Sequence, residues 1–169
     1  MNDSQPSAPP RYSIVLPVFN ESANIGHFCH RAVTELPFGY ELLVCYDFNE
    51  DDTLHALTDL QEAQKPRDIR LVKNNLGPGV RFAIEAGMRA ARAPVVLVMM
   101  ADLADDFSCV EPMVSRVEGG CDVVASSRYM PGGRQIGGPW FKGLMSRLAG
   151  VSLRWIAGLP THDATNSFK

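Results

Sequence analysis

The sequence predicts an α/β fold in which a mostly parallel central sheet is flanked by helices. Three observations carry this expectation. Short β-branched runs alternate with amphipathic helical segments of about ten to fifteen residues, the pattern of successive βαβ units. One run, Val95 to Met100, is apolar throughout, as a central parallel strand covered on both faces should be. Acidic residues recur directly after the predicted strands, where open parallel sheets bind their ligands.

Each element has a local reason. Tyr12 to Leu16 is a β-branched run closed by Pro17. Ser22 is a candidate helix cap, and Ile25, Phe28, Cys29, Ala32, Val33 and Leu36 then recur on one helical face. Pro37 and Gly39 stop that helix, and Glu41 to Tyr46 forms the next strand. Asp52 and Thr53 open a second helix carrying Leu54, Leu57 and Leu60. Ile69 to Val72 reads as a third strand. A Gly77-Pro78-Gly79 turn leads into a helix with Val80, Ala83, Ile84, Gly87, Met88 and Ala91. After the fourth strand, Glu111 to Glu118 is helical and Asp122 to Ser126 is a fifth strand. Residues 130–139 hold four glycines and two prolines and read as a loop over a site. A last helix spans Trp140 to Ile156, with Phe141, Leu144, Leu148, Val151 and Trp155 on one stripe.

The chain has 169 residues, 46% hydrophobic and 21% charged, which fits one ordered domain. Its net charge of −3 lacks the basic excess that nucleic-acid binding requires, so no nucleic-acid partner is expected. Residues 1–11 are polar and proline-rich and read as a disordered leader without the apolar core of a secretory signal. The longest apolar run, 93–101, is far short of the roughly 20 residues that span a bilayer. A cytoplasmic location follows as an expectation. The four cysteines show neither CxxC nor zinc spacing, and Cys29 and Cys45 read as small core residues.

Chemistry is expected in the segments after the strands. Asp102 directly follows an apolar run, and a carboxylate there is costly unless it is paired or on a metal. With Asp105 and Asp106 it offers hard oxygen ligands for Mg2+ or Mn2+ shared with substrate phosphates. Asp105 and Asp106 serve equally well as caps for a helix beginning near Phe107 or Ser108. Asp47 could accept hydrogen bonds from a base or ribose, or cap its own loop. Arg128 is suited to a diphosphate, or is a solvated surface arginine.

Taken together, these segments resemble the family 2 glycosyltransferases, in particular their polyprenol-phosphate (dolichyl-phosphate) mannosyltransferase-like branch. Residues 13–21, SIVLPVFNE, are similar to the family's opening strand and its P-x-Y/F-N-E motif. Residues 46–53, YDFNEDDT, align with DDGSxDGT and keep its second aspartate as Asp47. Gly77-Pro78-Gly79 with Ala83 and Gly87, Ser127-Arg128-Tyr129 with Gly132-Gly133, and residues 163–169 (DATNSFK) complete five motifs in order. The metal motif departs from the family's D-A-D-L-x-H: Met100 stands for its first carboxylate, so only Asp102 carries over directly.

The resemblance implies a GT-A (Rossmann-like) nucleotide-diphospho-sugar transferase domain over 12–169, cut short on its acceptor side. It implies inverting transfer of a hexosyl group from a GDP- or UDP-linked sugar, with Asp102, Arg128 and Asp163 as catalytic residues. Pro17, Phe19, Glu21, Asp47, Gly77, Ala101, Asp102 and Arg128 would bind the nucleotide. Asp102, Asp105 and Asp106 would hold the metal. Lys142 and Ser146, one helical turn apart, would hold the phosphate of a lipid acceptor at the inner face of a membrane. Asp163 would be the base if the acceptor were instead a hydroxyl. The competing expectation is a nucleotide-sugar-binding module with little turnover, which Met100 and the early C-terminus favour.

Overall fold

The computed structural model describes residues 9–60, 66, 68–130, 132–133, 140–158, 163, 166 and 168, with side chains at 140–144, 146, 154 and 157 outside the description. Four parallel strands form the sheet: β1 (Tyr12–Pro17), β2 (Tyr40–Tyr46), β3 (Ile69–Lys73) and β4 (Val95–Val98). Their order is β3-β2-β1-β4. All six residues of β1 are buried, because it is paired on both sides and covered on both faces.

The side-chain alternation of the strands divides the core in two. Ile14, Leu16, Leu42 and Val44 point to one face. There they join Ile25, Phe28, Cys29 and Ala32 of α1 (Ser22–Glu35) and Val110, Met113 and Val114 of α4 (Val110–Glu118). The smaller α2 (Asp52–Asp59) adds Leu57 on that face. Val15, Leu43, Cys45 and Val98 point the other way, against Ala83 of α3 (Val80–Ala90). Cys29 and Cys45 are therefore core residues, and burial pushes both thiols up to about 12.

Helix α3 approaches the sheet through Gly87. A Cβ there would lie 2.5 Å from Val15 Cγ1 and 2.6 Å from Cys45 Sγ, so the small residue sets the helix–sheet distance.

Four expectations are corrected. Among the described residues the fourth strand ends at Val98 and lies at the sheet's edge; β1 and β2 are the central pair. Asp122 to Ser126 is not a strand. Val123 is 74% exposed, and Ser126 N–H donates to Phe168 O (3.2 Å) rather than joining a ladder. Ser22 begins α1 without capping it, because its hydroxyl donates to Asp52 Oδ2 at 2.8 Å. Arg11, counted with the leader, is held: its N–H donates to Gly39 O, and its guanidinium spans Glu111 and Glu118. Residues 1–8 of that leader lie outside the described residues.

At the sheet end opposite the ligand-side loops, Glu41 is fully buried and satisfied by Ser13 Oγ (2.6 Å), Arg92 N–H (2.7 Å), Arg92 Nε (2.8 Å) and Arg70 Nη1 (3.0 Å). Burial opposes its charge, but these donors outweigh it and hold the carboxyl down at about 2. A depressed acid stabilises the fold above its ordinary value near 4.3 and ceases to as pH falls through the folded value. Between pH 5 and pH 2 the chain should therefore lose about 2 kcal/mol through this site, discounted for its half-wet arginines. Urea titrations should show that loss in the parent and not in Glu41→Gln. In the same assay Gly87→Ala should cost about 1–3 kcal/mol; an unchanged midpoint would mean that the helix is free to lift.

Candidate active site

The loop after β1 is tied to the start of α2. Pro17 closes β1 and is buried, and Val18 N–H donates to Cys45 O (2.9 Å). Asn20 adopts a left-handed backbone (φ 54), a conformation asparagine tolerates better than most residues. Its N–H donates to both oxygens of buried Asp51 (3.2 Å each), and Asp51 also caps α2 through Thr53 N–H (2.9 Å). Glu21 N–H donates to Thr53 Oγ1 (2.9 Å), and Asn24 Nδ2 donates to Glu21 Oε2 (2.8 Å). Phe19 is thereby presented to solvent, 68% exposed, edge-on to Phe48 with ring centroids 5.5 Å apart.

The loops after β2 and β3 are joined by a second polar knot. Asp47 Oδ2 accepts from Gly79 N–H (2.8 Å) and Oδ1 from Asn74 Nδ2 (2.7 Å). Asn74 is buried; its amide also donates to Gly77 O (2.6 Å), and its Oδ1 accepts from Leu76 N–H (2.9 Å). Gly77 (φ 153) and Gly79 (φ 106) supply the positive φ this turn needs before α3. Both oxygens of Asp47 thus hold the turn.

After β4, Ala101 is buried and Asp102 is exposed, followed by Leu103 at φ 62. Asp102 Oδ1 accepts from Ala104 N–H (3.0 Å). Asp105 turns inward and Oδ2 accepts from Met100 N–H (2.9 Å). Burial, with Asp102 nearby and against the pull of that amide, pushes the Asp105 carboxyl up to about 6. Asp106 caps the single 3-10 turn Phe107–Cys109 through Ser108 N–H (3.0 Å) and Ser108 Oγ (2.7 Å). The three acids have therefore separated into a surface group, an inward brace and a cap. Among the described residues no three acidic, histidine or cysteine groups cluster as a metal site. The donor set fits only an ion completed by substrate oxygens, with Asp102 exposed and Asp105 near it.

Arg128 and Asp163, 35 residues apart, form one unit. Asp163 is fully buried; its Oδ2 accepts from Arg128 N–H (3.1 Å) and Nε (2.8 Å), and its Oδ1 from Nη2 (2.8 Å). The carboxylate raises the guanidinium's affinity for its proton, and the arginine side chain keeps 31% of its surface. Tyr129 lies between two guanidiniums, with Arg128 Cζ at 5.2 Å and Arg147 Cζ at 5.4 Å from its ring centroid. Gly133 permits this fold-back, since a Cβ there would meet Ser127 O at 2.3 Å. Lys142 and Ser146 sit in α5 (Trp140–Ala157), but their side chains lie outside the described ones.

Sequence reasoning missed Asp51, Asn74 and Phe48. An Asp two residues before a Thr at a helix start, and an Asn shortly before a glycine turn, are local capping signals that could have found the first two. Phe48 carries no such signal, because its role depends on where Phe19 lands.

Residues 13–158 match the family described as Glycosyl transferase family 2. The chain is 27% identical over 138 residues to a dolichol-phosphate mannosyltransferase of Pyrococcus furiosus, covering 81% of this chain and 38% of that protein. It is 31% identical over 119 residues to an uncharacterized glycosyltransferase of Synechocystis, covering 69% and 37% respectively. It is 26% identical over 163 residues to a polyprenol monophosphomannose synthase of Mycolicibacterium smegmatis, covering 94% and 60%. The chain thus spans between about a third and three fifths of these relatives' lengths. Among solved structures, glucosyl-3-phosphoglycerate synthase of Mycobacterium tuberculosis in complex with UDP superposes with a TM-score of 0.55 at 17% identity. That match covers 90% of this chain and 53% of that one. A mycobacterial protein superposes with a TM-score of 0.53 at 21% identity, over 66% and 38%. These two establish a shared fold, and the GT-A fold expected from the motifs is the one found.

The state of Asp105 gives a measurable consequence. Its carboxyl is raised on folding, so the folded chain favours the protonated form and stability falls as pH rises from about 4 to about 6. Asp105→Asn keeps an oxygen for Met100 N–H and removes the charge. With chelator present, it should be more stable than the parent by about 1–2 kcal/mol at pH 7 and match it near pH 4. An equal deficit at both pH values would show that the carboxylate is not strained.

Proposed function

The chain belongs to glycosyl transferase family 2, and from that membership we propose that it transfers a hexosyl group, with inversion, from a GDP- or UDP-linked sugar to a polyprenyl phosphate. The observation that carries the choice of acceptor is the condition of Asp163. Both its oxygens are taken by Arg128 and it has no exposed surface. Such a carboxylate is poorly placed to deprotonate a hydroxyl acceptor. A lipid phosphate is already anionic at neutral pH and needs positioning rather than a base. The relatives named for dolichol-phosphate and polyprenol monophosphate chemistry support the same reading.

In this reading Asp163 is a positioning residue and Arg128 the group that meets the diphosphate as negative charge builds on it. Asp102 would share Mg2+ or Mn2+ with the same diphosphate, and a bound ion would supply electrostatic stabilisation of the leaving group. Phe19 offers an apolar surface for the base. Pro17, Glu21, Asp47, Gly77 and Ala101 shape the nucleotide side of the cleft, Asp47 through its hold on the glycine turn. Lys142 and Ser146 are assigned to the acceptor phosphate, and contact with the inner membrane face follows from such an acceptor.

The test is transfer of labelled hexose from GDP- and UDP-sugars to a short polyprenyl phosphate in detergent. The expected product is a lipid-linked monosaccharide. Formation should cease with EDTA and fall on the order of a hundredfold or more in Asp102→Asn and Arg128→Lys. Transfer to a sugar hydroxyl in preference to the lipid phosphate would overturn the acceptor assignment. Metal-dependent nucleotide binding without product from any donor would favour a nucleotide-sugar-binding module, the reading that Met100 in the metal motif supports.

A further inference from the structure

Two loops meet at the ligand edge through a pair of rings. Phe19 comes from the loop after β1 and Phe48 from the loop after β2. Their centroids are 5.5 Å apart and their planes cross at 71°, which makes a corner rather than a stack. Phe48 is half-buried and Phe19 is largely exposed, so the corner opens outward. Every nucleobase has a π-face that suits such a ring, whatever its edge carries.

The polar groups around the corner are already engaged within the chain. The N–H groups of residues 18 and 20–22 donate to β2 or to the start of α2 at 2.9 to 3.2 Å. Asp47 is held through both oxygens by Asn74 and Gly79, Asp51 through both by Asn20, and Asp52 through both by Ser22. Glu21 keeps one oxygen on Asn24. Among the described residues, Glu50 is the acid of these two loops with no hydrogen bond, and it is exposed. Guanine differs from adenine at its Watson–Crick edge, where its donors call for a carboxylate or a carbonyl. A site with a partner for that edge rejects the wrong base strongly, and a site without one does not.

We propose that this chain takes its donor's base by stacking in the Phe19–Phe48 corner and selects ring size rather than base identity. Guanosine and adenosine diphosphates are then accepted alike, and uridine diphosphate more weakly. A purine has the larger face and gains more from two aromatic walls than a pyrimidine does. Phe48, which no motif singled out, is the residue that adds the second wall. This rests on the reading above that a nucleoside-diphosphate sugar occupies the cleft, and it deepens that reading by stating which donors the cleft tells apart.

The experiment is calorimetric binding of GDP, ADP and UDP to the 169-residue chain with Mg2+ and without any acceptor. GDP and ADP should bind within about threefold of each other, and UDP about tenfold more weakly than either. Phe19→Leu and Phe48→Leu keep an apolar side chain and lose a flat face. Each should weaken GDP and ADP about fivefold or more, by the same factor for both, while Phe48→Tyr holds the parent affinity. Phe19 is exposed enough that its substitution should leave the urea midpoint unchanged, which separates lost stacking from a disturbed loop. Glu50→Gln should leave all three affinities as they are. GDP tighter than ADP by more than about tenfold would overturn the proposal; loss of that preference in Glu50→Gln would assign the base edge to that acid instead. Leucine variants that bind as the parent does would overturn it too. Binding of no diphosphate would remove the nucleotide reading and this one with it. Equal purine binding without a lipid-linked product supports the stacking site and counts against the acceptor reading alone.

Discussion

Everything in this molecule is arranged around the complete burial of β1. It has a parallel neighbour on each side and helices on both faces, so none of its six side chains meets water. Parallel pairing aligns the carboxyl ends of all four strands. The loops leaving β1, β2, β3 and β4 therefore open on one edge, and that edge collects Phe19, Asp47, Gly77 and Asp102 from four separate stretches of chain. Gly87 contributes from the opposite face by letting α3 touch Val15 and Cys45 directly.

The loops at that edge are held by buried polar groups rather than by apolar packing. Asp51 ties the β1 loop to α2, Asn74 and Asp47 tie the β3 loop to the β2 loop, and Asp163 ties down Arg128. Each of these groups exchanges water for several protein partners. Among the described residues no buried side-chain nitrogen or oxygen lacks one. Buried, fully satisfied networks of this kind favour one arrangement over its neighbours, because a displaced loop would strand a charge or an amide. A cleft meant for a diphosphate gains from this: its dipoles and cations are in place before the substrate arrives.

The acids divide by depth. Glu41 at the far end of the sheet and Asp163 beside Arg128 are buried charges with arginine partners. Asp105 is partly buried with only an amide for company. The first arrangement favours the ionised form and the second the protonated one, which is why Glu41 and Asp105 are shifted in opposite directions. Asp102 is left at the surface near Asp105, with its Oδ1 accepting from Ala104 N–H.

Period and composition were enough to reveal the βαβ order and the parallel sheet, because hydrophobic repeats and glycine turns are local properties of the chain, while the family came from the resemblance of five short motifs. Helix α3 could be read from Ala83 and Gly87, and the turn before it from Gly77 and Gly79. What the sequence could not settle depends on partners distant along the chain. A β-branched run such as Asp122 to Ser126 becomes a strand only if an edge receives it, and here Ser126 is bonded to Phe168 instead. A carboxylate is a ligand, a brace or a cap according to which amide folds within about 3 Å of it. Asp102, Asp105 and Asp106 are nearly identical as letters and differ entirely as groups. The direction α5 faces was likewise invisible: the stripe was legible from spacing, but only the tertiary structure shows that its described members Leu148, Val151 and Trp155 are exposed.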